Sequence, residues 1–413
     1  MRGLEFKKFL DRYAGIPLVG LAHALDEAAA IMRPRGPVDV QSILAIKLWG
    51  VGNLVMILPY LDALRRRFPR ARLSFLTIES NRELLEGHPS VQHVFTMRTQ
   101  GVLRPLVDLV RLVRSLRRER FDLLLDFEPF LRVSALLGFL GGAKQRIGFR
   151  TPGQARAALY TARVPYRSGR HMTDVFGDIV RSAGAEIAGL PLLSVPRGEQ
   201  AAAKAQSLID TELRGEGPLV ALHPGSGDNF PGRRWPADCF AAVGDALVEK
   251  HGARVLVTGA AAERPLTHQV VCTMRRRGVD LAGRLDLRAW IELLARLDLL
   301  VSNDTAPVHI AGALGTPLVA VYGPNTPEIY GPLHTASRVA YKHLPCSPCL
   351  TNLNAKSSAC RLPACILGIE VETVLAAAES LLAENGRVTS APRAAEPHPS
   401  EKLPASMSGR GAL

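Results

Sequence analysis

The sequence predicts an α/β protein built on two parallel sheets, and three stretches carry that prediction. Residues 297–301 form an apolar strand that runs into the polar turn Ser302-Asn303-Asp304-Thr305, then a helical segment with Pro307 and His309, then a second strand at 317–321. Strand, turn, helix and strand in that order are one unit of a parallel sheet. A strand at 42–48 followed by the glycine turn 49–53 and a helix at 54–68 opens a first set of such units. The alternation restarts at 219–222, after an interval rich in proline, glycine and alanine. A chain of 413 residues with 47% hydrophobic content buries two or three cores at roughly 100–200 residues per domain, and the restart makes it two: residues 41–200 and 215–385.

Each element follows from local pattern. Within 1–40, Leu4, Phe6, Phe9, Leu10 and Tyr13 lie beside Lys7, Lys8 and Arg12, which reads as an amphipathic segment lying on a membrane surface or as a helix packed on the protein body. Glu5, Asp11 and the interrupted apolar run argue against a signal peptide, and no run approaches the roughly 20 residues that span a bilayer. After the first helix, lined by Leu58, Leu61, Leu64 and Phe68, come a strand (72–77), a helix (81–86), a strand (92–96), a basic helix (103–118) and a strand (121–126). That last strand ends in Asp126-Phe127-Glu128, two acids at a carboxyl edge that are either structural or face an acceptor. A helix and a short strand occupy 131–150, and 165–184 holds His171, Asp174 and another helix. Residues 386–413, rich in Pro, Ser, Ala, Glu and Arg without periodicity, are expected to be disordered.

Ligands of parallel sheets lie at the carboxyl ends of strands, so the turns there are the candidate site. Asn303, Asp304 and Thr305 offer N-cap chemistry, and the N–H groups of Thr305 and Ala306 at the helix start attract anions. His309 lies one turn further in. The strand at 219–222 runs into His223-Pro224-Gly225-Ser226-Gly227, whose Ser226 and Gly227 offer donors to phosphate. Arg233 and Arg234 follow close enough to neutralise it. Glu263, after the strand at 254–258, suits ribose hydroxyls or simply a helix start. The charge of +13 favours an anionic partner. Aromatic residues are only 6% and no RNA- or DNA-binding motif occurs, which disfavours nucleic acid. Cys346, Cys349, Cys360 and Cys365 have a spacing near that of a structural zinc or iron–sulfur knuckle, with a wider second pair.

With these pieces assembled, the chain resembles glycosyltransferase family 9, the lipopolysaccharide heptosyltransferases, over about residues 42–384. The motifs agree in order: KL-x3-G from Lys47 to Gly52, HPGS from His223, RRWP from Arg233, AGR-x-DL from Ala282, and SNDTAPVHIAGALGTPLVAVYGP from Ser302. The resemblance implies a GT-B fold with the acceptor on the first domain and a nucleotide sugar on the second. It implies inverting, metal-independent transfer, with ADP-heptose as donor and a lipopolysaccharide core or related envelope glycan as acceptor, at the cytoplasmic face of the inner membrane. Arg233 then falls at the phosphate-binding position, Asp304, Thr305 and His309 match an Asp-Thr-x3-His pattern, and the cysteines look like a cluster found in part of the family. One residue departs. The family pattern KL-x3-GD carries an aspartate as candidate general base, and here it is Asn53, which accepts no proton at neutral pH. Either another acid, Asp126 or Glu128, takes its place, or the chain is a weakly active nucleotide-sugar or glycolipid binder, or a different GT-B enzyme such as an epimerase.

Overall fold

The computed structural model describes residues 15–30, 39–98, 105–187, 195–227, 230–354 and 357–388. Twelve strands form two six-stranded sheets. β1 (Ser42–Ile46), β2 (Arg72–Ile78), β3 (His93–Met97), β4 (Leu123–Asp126), β5 (Gln145–Arg150) and β6 (Ala162–Pro165) make the first. β7 (Leu219–His223), β8 (Arg254–Val257), β9 (Gly278–Asp280), β10 (Leu299–Asn303), β11 (Leu318–Tyr322) and β12 (Ser337–Tyr341) make the second. All neighbours pair in parallel, with β1 between β2 and β4 and β7 between β8 and β10.

Both sheets therefore run in the order 3-2-1-4-5-6, and each reverses direction beside its own first strand. That is where a crevice opens at the carboxyl ends of an α/β sheet. The central strands are buried on both faces, β1, β7, β10 and β11 completely, as parallel sheets covered by helices must be. Trp235 and Phe240 pack edge to face in the second core, their ring centroids 5.2 Å apart.

Several boundaries differ from expectation. The helix after β1 spans Val51–Arg67, so only Trp49 and Gly50, the latter at φ 92°, remain of the expected turn, and Gly52 and Asn53 are already helical. The first turn is closed by Leu54 N–H on the Gly50 carbonyl at 3.0 Å, which draws the helix back towards the strand. The strands β6, β9 and β12 carry too little apolar pattern to be seen in sequence. Helix Glu199–Glu212 packs on helix Leu287–Leu294 of the second half, tied by Arg197 and Lys204 to Glu292 and Asp286.

Residues 1–14 and 389–413, where the amphipathic segment begins and the tail is expected, lie outside the described residues. Helix Gly15–Ala30 is described, and Val19 and Ala22 on its inner face pack with Ala135, Leu159 and Tyr160. Its outer face leaves Ile16, Leu18 and Leu21 about half or more exposed. Among the described residues no helix is long and apolar enough to cross a membrane.

Candidate active site at the facing switch points

The two carboxyl edges meet across a seam made by helices Val51–Arg67 and Ala306–Leu314. The approach is close: a Cβ at Gly52 would lie 2.4 Å from Cδ2 of His309. Only glycine permits that contact, which accounts for this glycine better than a backbone–ligand contact does. Polar contacts also bridge the halves. His171 Nε2 donates to the Gly331 carbonyl (3.1 Å), the tautomer set by Nδ1 accepting the Thr173 N–H. Leu287 N–H reaches Glu83 (3.1 Å), Arg288 the Glu86 carbonyl (2.8 Å), and Asn352 the Tyr166 hydroxyl (3.1 Å).

On the first edge, Lys47 is buried and pairs with Glu128 at 2.7 Å. The other Glu128 oxygen accepts the N–H groups of Leu48 (2.8 Å) and Trp49 (3.0 Å). Glu128 is thus the clamp of the turn before the first helix. Asp126 corrects the sequence expectation more sharply. It is wholly buried and accepts from Arg156 Nη2 (2.6 Å), the Tyr160 hydroxyl (2.6 Å), the Ser134 hydroxyl (2.8 Å) and Glu128 N–H (2.9 Å). Burial raises its carboxyl above the ordinary range, against the pull of Arg156 and the hydrogen bonds. A raised carboxyl often marks a catalytic acid or base. Here the cause is burial in a saturated network with no exposed surface, so Asp126 is structural. Arg156 also donates to the Glu128 carbonyl oxygen and so holds the clamp from below. Asn53 is half-buried at the head of the helix.

On the second edge, Asn303 staples three segments. Its Nδ2 donates to the Pro224 carbonyl (2.8 Å) and its Oδ1 accepts Trp235 N–H (3.0 Å). Asp304 accepts from Asn325 Nδ2 at 2.7 Å. Neither caps the following helix, and Thr305, its N-cap residue, makes no side-chain capping bond. The cap chemistry expected of Asn303-Asp304-Thr305 is spent elsewhere, which leaves the first-turn N–H groups without a side-chain cap. Arg233 lies across this edge, its guanidinium donating to the carbonyls of Asp304 (3.3 Å) and Ser226 and standing 3.9 Å from the Asp304 carboxylate. Its buried Nε has no hydrogen-bond partner. Arg234 donates to the Ser226 hydroxyl at 3.2 Å.

One expected donor and one expected acceptor bond to each other. Gly227, at φ 65°, gives its N–H to Glu263 (3.0 Å), whose second oxygen takes Ala260 N–H (3.0 Å). Glu263 thus pins the loop after β7, and a Cβ on Gly225 would strike its carboxylate at 2.4 Å. Beside it is a residue that sequence reasoning quoted without a role. His223 is buried at the end of β7, its Nδ1 2.9 Å from the Thr258 hydroxyl, and burial pushes it down to about 4 although Glu263 works the other way. Burial would likewise raise Glu263, but His223, the two N–H groups and Arg234 bring it below the ordinary range. The signal for His223 was its place on the last residue of a strand, before a glycine-serine turn.

The six cysteines are free. Burial, with Cys349 and Cys346 nearby, raises the Cys365 thiol. Among the described residues no three Cys, His, Asp or Glu side chains gather as metal ligands, so the zinc or iron–sulfur expectation rests on spacing alone.

Two parallel sheets of this order with facing switch points define a GT-B fold. The family model for glycosyltransferase family 9 (heptosyltransferase) matches residues 109–359, more than half of the chain and parts of both sheets, and the chain belongs to that family. It is 28% identical to lipopolysaccharide heptosyltransferase 2 of Salmonella typhimurium over 311 residues, 72% of this chain and 87% of that one. It is 24% identical to lipopolysaccharide heptosyltransferase 1 of Pseudomonas aeruginosa over 75% of this chain and 86% of that one. The solved glycosyl transferase family 9 protein of Veillonella parvula superposes with a TM-score of 0.71 at 22% identity, covering 84% of this chain and all of its own. E. coli ADP-heptose lps heptosyltransferase II gives 0.68 at 23%, covering 84% and 99%.

Proposed function

We propose that this glycosyltransferase moves a sugar, heptose from ADP-heptose, with inversion and without a metal ion, onto a lipopolysaccharide core or related anionic envelope glycan. One observation carries the reading: Arg233, Arg234 and an uncapped helix start converge on the carboxyl edge of the second sheet. As the bond from the sugar to the diphosphate breaks, negative charge builds on the leaving oxygens. Pre-aimed N–H groups, a helix dipole and guanidinium groups stabilise such charge in a partly dry site. The Arg233 Nε, buried without a partner, is a donor whose desolvation an anion would offset. The names of the relatives above supply donor and acceptor. No cofactor is required in this reading, and no nucleic acid takes part.

The acceptor is a membrane glycolipid in this reading, and the enzyme works from the cytoplasm, attached to the inner face of the inner membrane. The charge of +13 supports that placement, as does the open apolar face of Ile16, Leu18 and Leu21. Calorimetry with ADP in the presence of a chelator tests the donor site. Binding is expected to persist, and Arg233→Ala to weaken it by about 1.5–3 kcal/mol, the worth of a charge-assisted hydrogen bond. Equal affinity in the variant would remove Arg233 from the site.

A further inference from the structure

Adjacent arginines recur at or just past helix ends in this chain, at 65–67, 117–118 and 275–277. The first and last runs are held by the protein itself. Arg65 donates to the carbonyls of Ala71 (2.7 Å) and Ser90 (3.1 Å), and Arg67 to that of Gly184 (3.0 Å). Arg275 and Arg276 stand against Asp245 (3.5 Å) and Glu249 (3.0 Å), and Arg277 donates to the Glu212 carbonyl (3.2 Å). The run on helix Pro105–Glu119 is different. Arg117 Nε reaches the Leu140 carbonyl at 2.7 Å, and Arg111 stands 3.6 Å from Asp108 in an exposed pair of small worth. Among the described residues no carboxylate pairs with Arg114 or Arg118, and Glu119 turns to Arg72 instead. At about 3.6 residues per turn these arginines share one outer face with Val107 and Val110, which are 51% and 41% exposed. Leu112 and Leu116, on the opposite face, pack on the first sheet. A solvated helix face alternates charges of both signs; this one joins exposed valines to arginines.

Helix Arg132–Leu140 packs beside helix Pro105–Glu119 and also beside helix Gly15–Ala30, so the open face of Ile16, Leu18 and Leu21 flanks the same helix. Helix Pro105–Glu119 follows β3 and therefore starts at the carboxyl edge of the first sheet, with Val107 in its first turn. Resting on the membrane placement above, we propose that the outer faces of helices Pro105–Glu119 and Gly15–Ala30 together seat the protein on an anionic bilayer. Arg114 and Arg118 meet phospholipid phosphates, which a planar guanidinium fits, and the valines, Leu18 and Leu21 enter the boundary between headgroups and acyl chains. Charge complementarity selects this occupant. A symmetric contact with a second copy would set arginine against arginine, and a soluble polyanion offers nothing to cover the apolar side chains. An anionic lipid surface answers both. Docked in this way, the carboxyl edge of the first sheet borders the bilayer, where a lipid-anchored acceptor presents its glycan.

The test is sedimentation of the full chain with vesicles of phosphatidylcholine alone or mixed with phosphatidylglycerol. Binding is expected to the mixed vesicles and to weaken as salt screens the charges. Arg114→Gln with Arg118→Gln is expected to lower the partition coefficient about 30-fold, about fivefold for each arginine near the surface. Arg275→Gln with Arg276→Gln removes the same charge from the second half, where acids already answer it, and is expected to change binding by less than about twofold. Transfer to a deacylated, water-soluble acceptor is expected to be the same in both pairs as in the parent, which also reports that they fold. If the parent binds mixed vesicles and the two pairs weaken binding equally, or neither does, the face is wrongly assigned while membrane attachment stands. No binding to either kind of vesicle overturns the face and the membrane placement together, and calorimetry with ADP then judges the transferase reading separately. Loss of binding to the deacylated core oligosaccharide in Arg114→Gln with Arg118→Gln, with vesicle binding intact, gives the arginines to the acceptor glycan and overturns the inference. A dimer that this pair dissociates overturns it too, by giving the face to a second copy.

Discussion

At the carboxyl edge of the first sheet every described acid is answered at short range, Asp126 by Arg156 and Tyr160 and Glu128 by Lys47 and two N–H groups. At the same edge of the second sheet the match is looser. Arg233 stands 3.9 Å from its nearest carboxylate and keeps one donor free, with Arg234 beside it. The two sheets share strand order, so topology does not distinguish them. The difference lies in which side chains the switch-point turns carry: one edge is satisfied internally, and the other keeps a buried guanidinium donor without a partner, the feature on which the proposed donor site rests. A fold of this kind fixes where a site lies, and the balance of unmet hydrogen bonds and charge fixes what it binds.

The strongest way to break that comparison is Asp126→Ala. It strands a guanidinium that has no exposed surface, and removing one member of a buried pair costs about 3–5 kcal/mol. Asp304→Ala, which removes the bond from buried Asn325 and a carboxylate 3.9 Å from Arg233, should cost less, about 1–3 kcal/mol. Urea unfolding of the two variants measures both. An Asp126→Ala protein of unchanged stability that has lost transfer would make Asp126 a catalytic group and erase the contrast.

A smaller effect concerns pH. The His223 imidazole is held at about 4, below its ordinary 6.5. The unfolded chain therefore binds a proton between those values that the folded chain refuses, so stability is full above pH 6.5 and falls as pH drops towards 4. The loss amounts to about 3 kcal/mol. Glu263, whose carboxyl lies below its ordinary value, adds a further loss as pH falls below the carboxylate range. His223→Gln should flatten the limb between pH 6.5 and 4 in denaturation curves. His88 and His171 in the first half, also lowered by burial, leave a residual slope. An unchanged limb would mean that His223 is solvated in solution.

The architecture was legible because its signals are local. Strands buried on both faces give unbroken apolar runs, as at β1, β7 and β10, and the turns after them carry glycine and polar residues. The edge strands β6, β9 and β12 escaped because three to five half-buried residues give no period. The site was legible by position, and the bonds its residues make inside the protein were not. Arg233 was placed correctly on the edge by its distance along the chain from Ser226. For Asp126, sequence shows an acid at a strand end, structural or facing an acceptor, and hides the guanidinium 30 residues later that decides for the structural role. Glu263 and Gly227 were assigned to ligand when they bond to each other, a pairing between segments 36 residues apart that only the fold creates. Asn303 was read as a cap for the helix after it and instead holds the loop of another strand.

The finest test addresses the seam itself. Gly52→Ala has two opposed consequences. Alanine in a helix interior is favoured over glycine by about 1 kcal/mol, which stabilises helix Val51–Arg67 wherever the position faces open space. Against the closed seam, the new Cβ would stand 2.4 Å from the His309 ring, and displacing a packed side chain costs about 1–3 kcal/mol. The net expectation is a loss of about 1 kcal/mol in urea unfolding, together with weaker coupling between the halves. The sign decides the matter. If Gly52→Ala is more stable than the parent by the helix term alone, the halves stand apart in solution and His309 does not rest against helix Val51–Arg67. If the loss appears and is relieved by also replacing His309 with alanine, the contact between the two switch points is real and His309 is held at the head of the helix that carries Asn53.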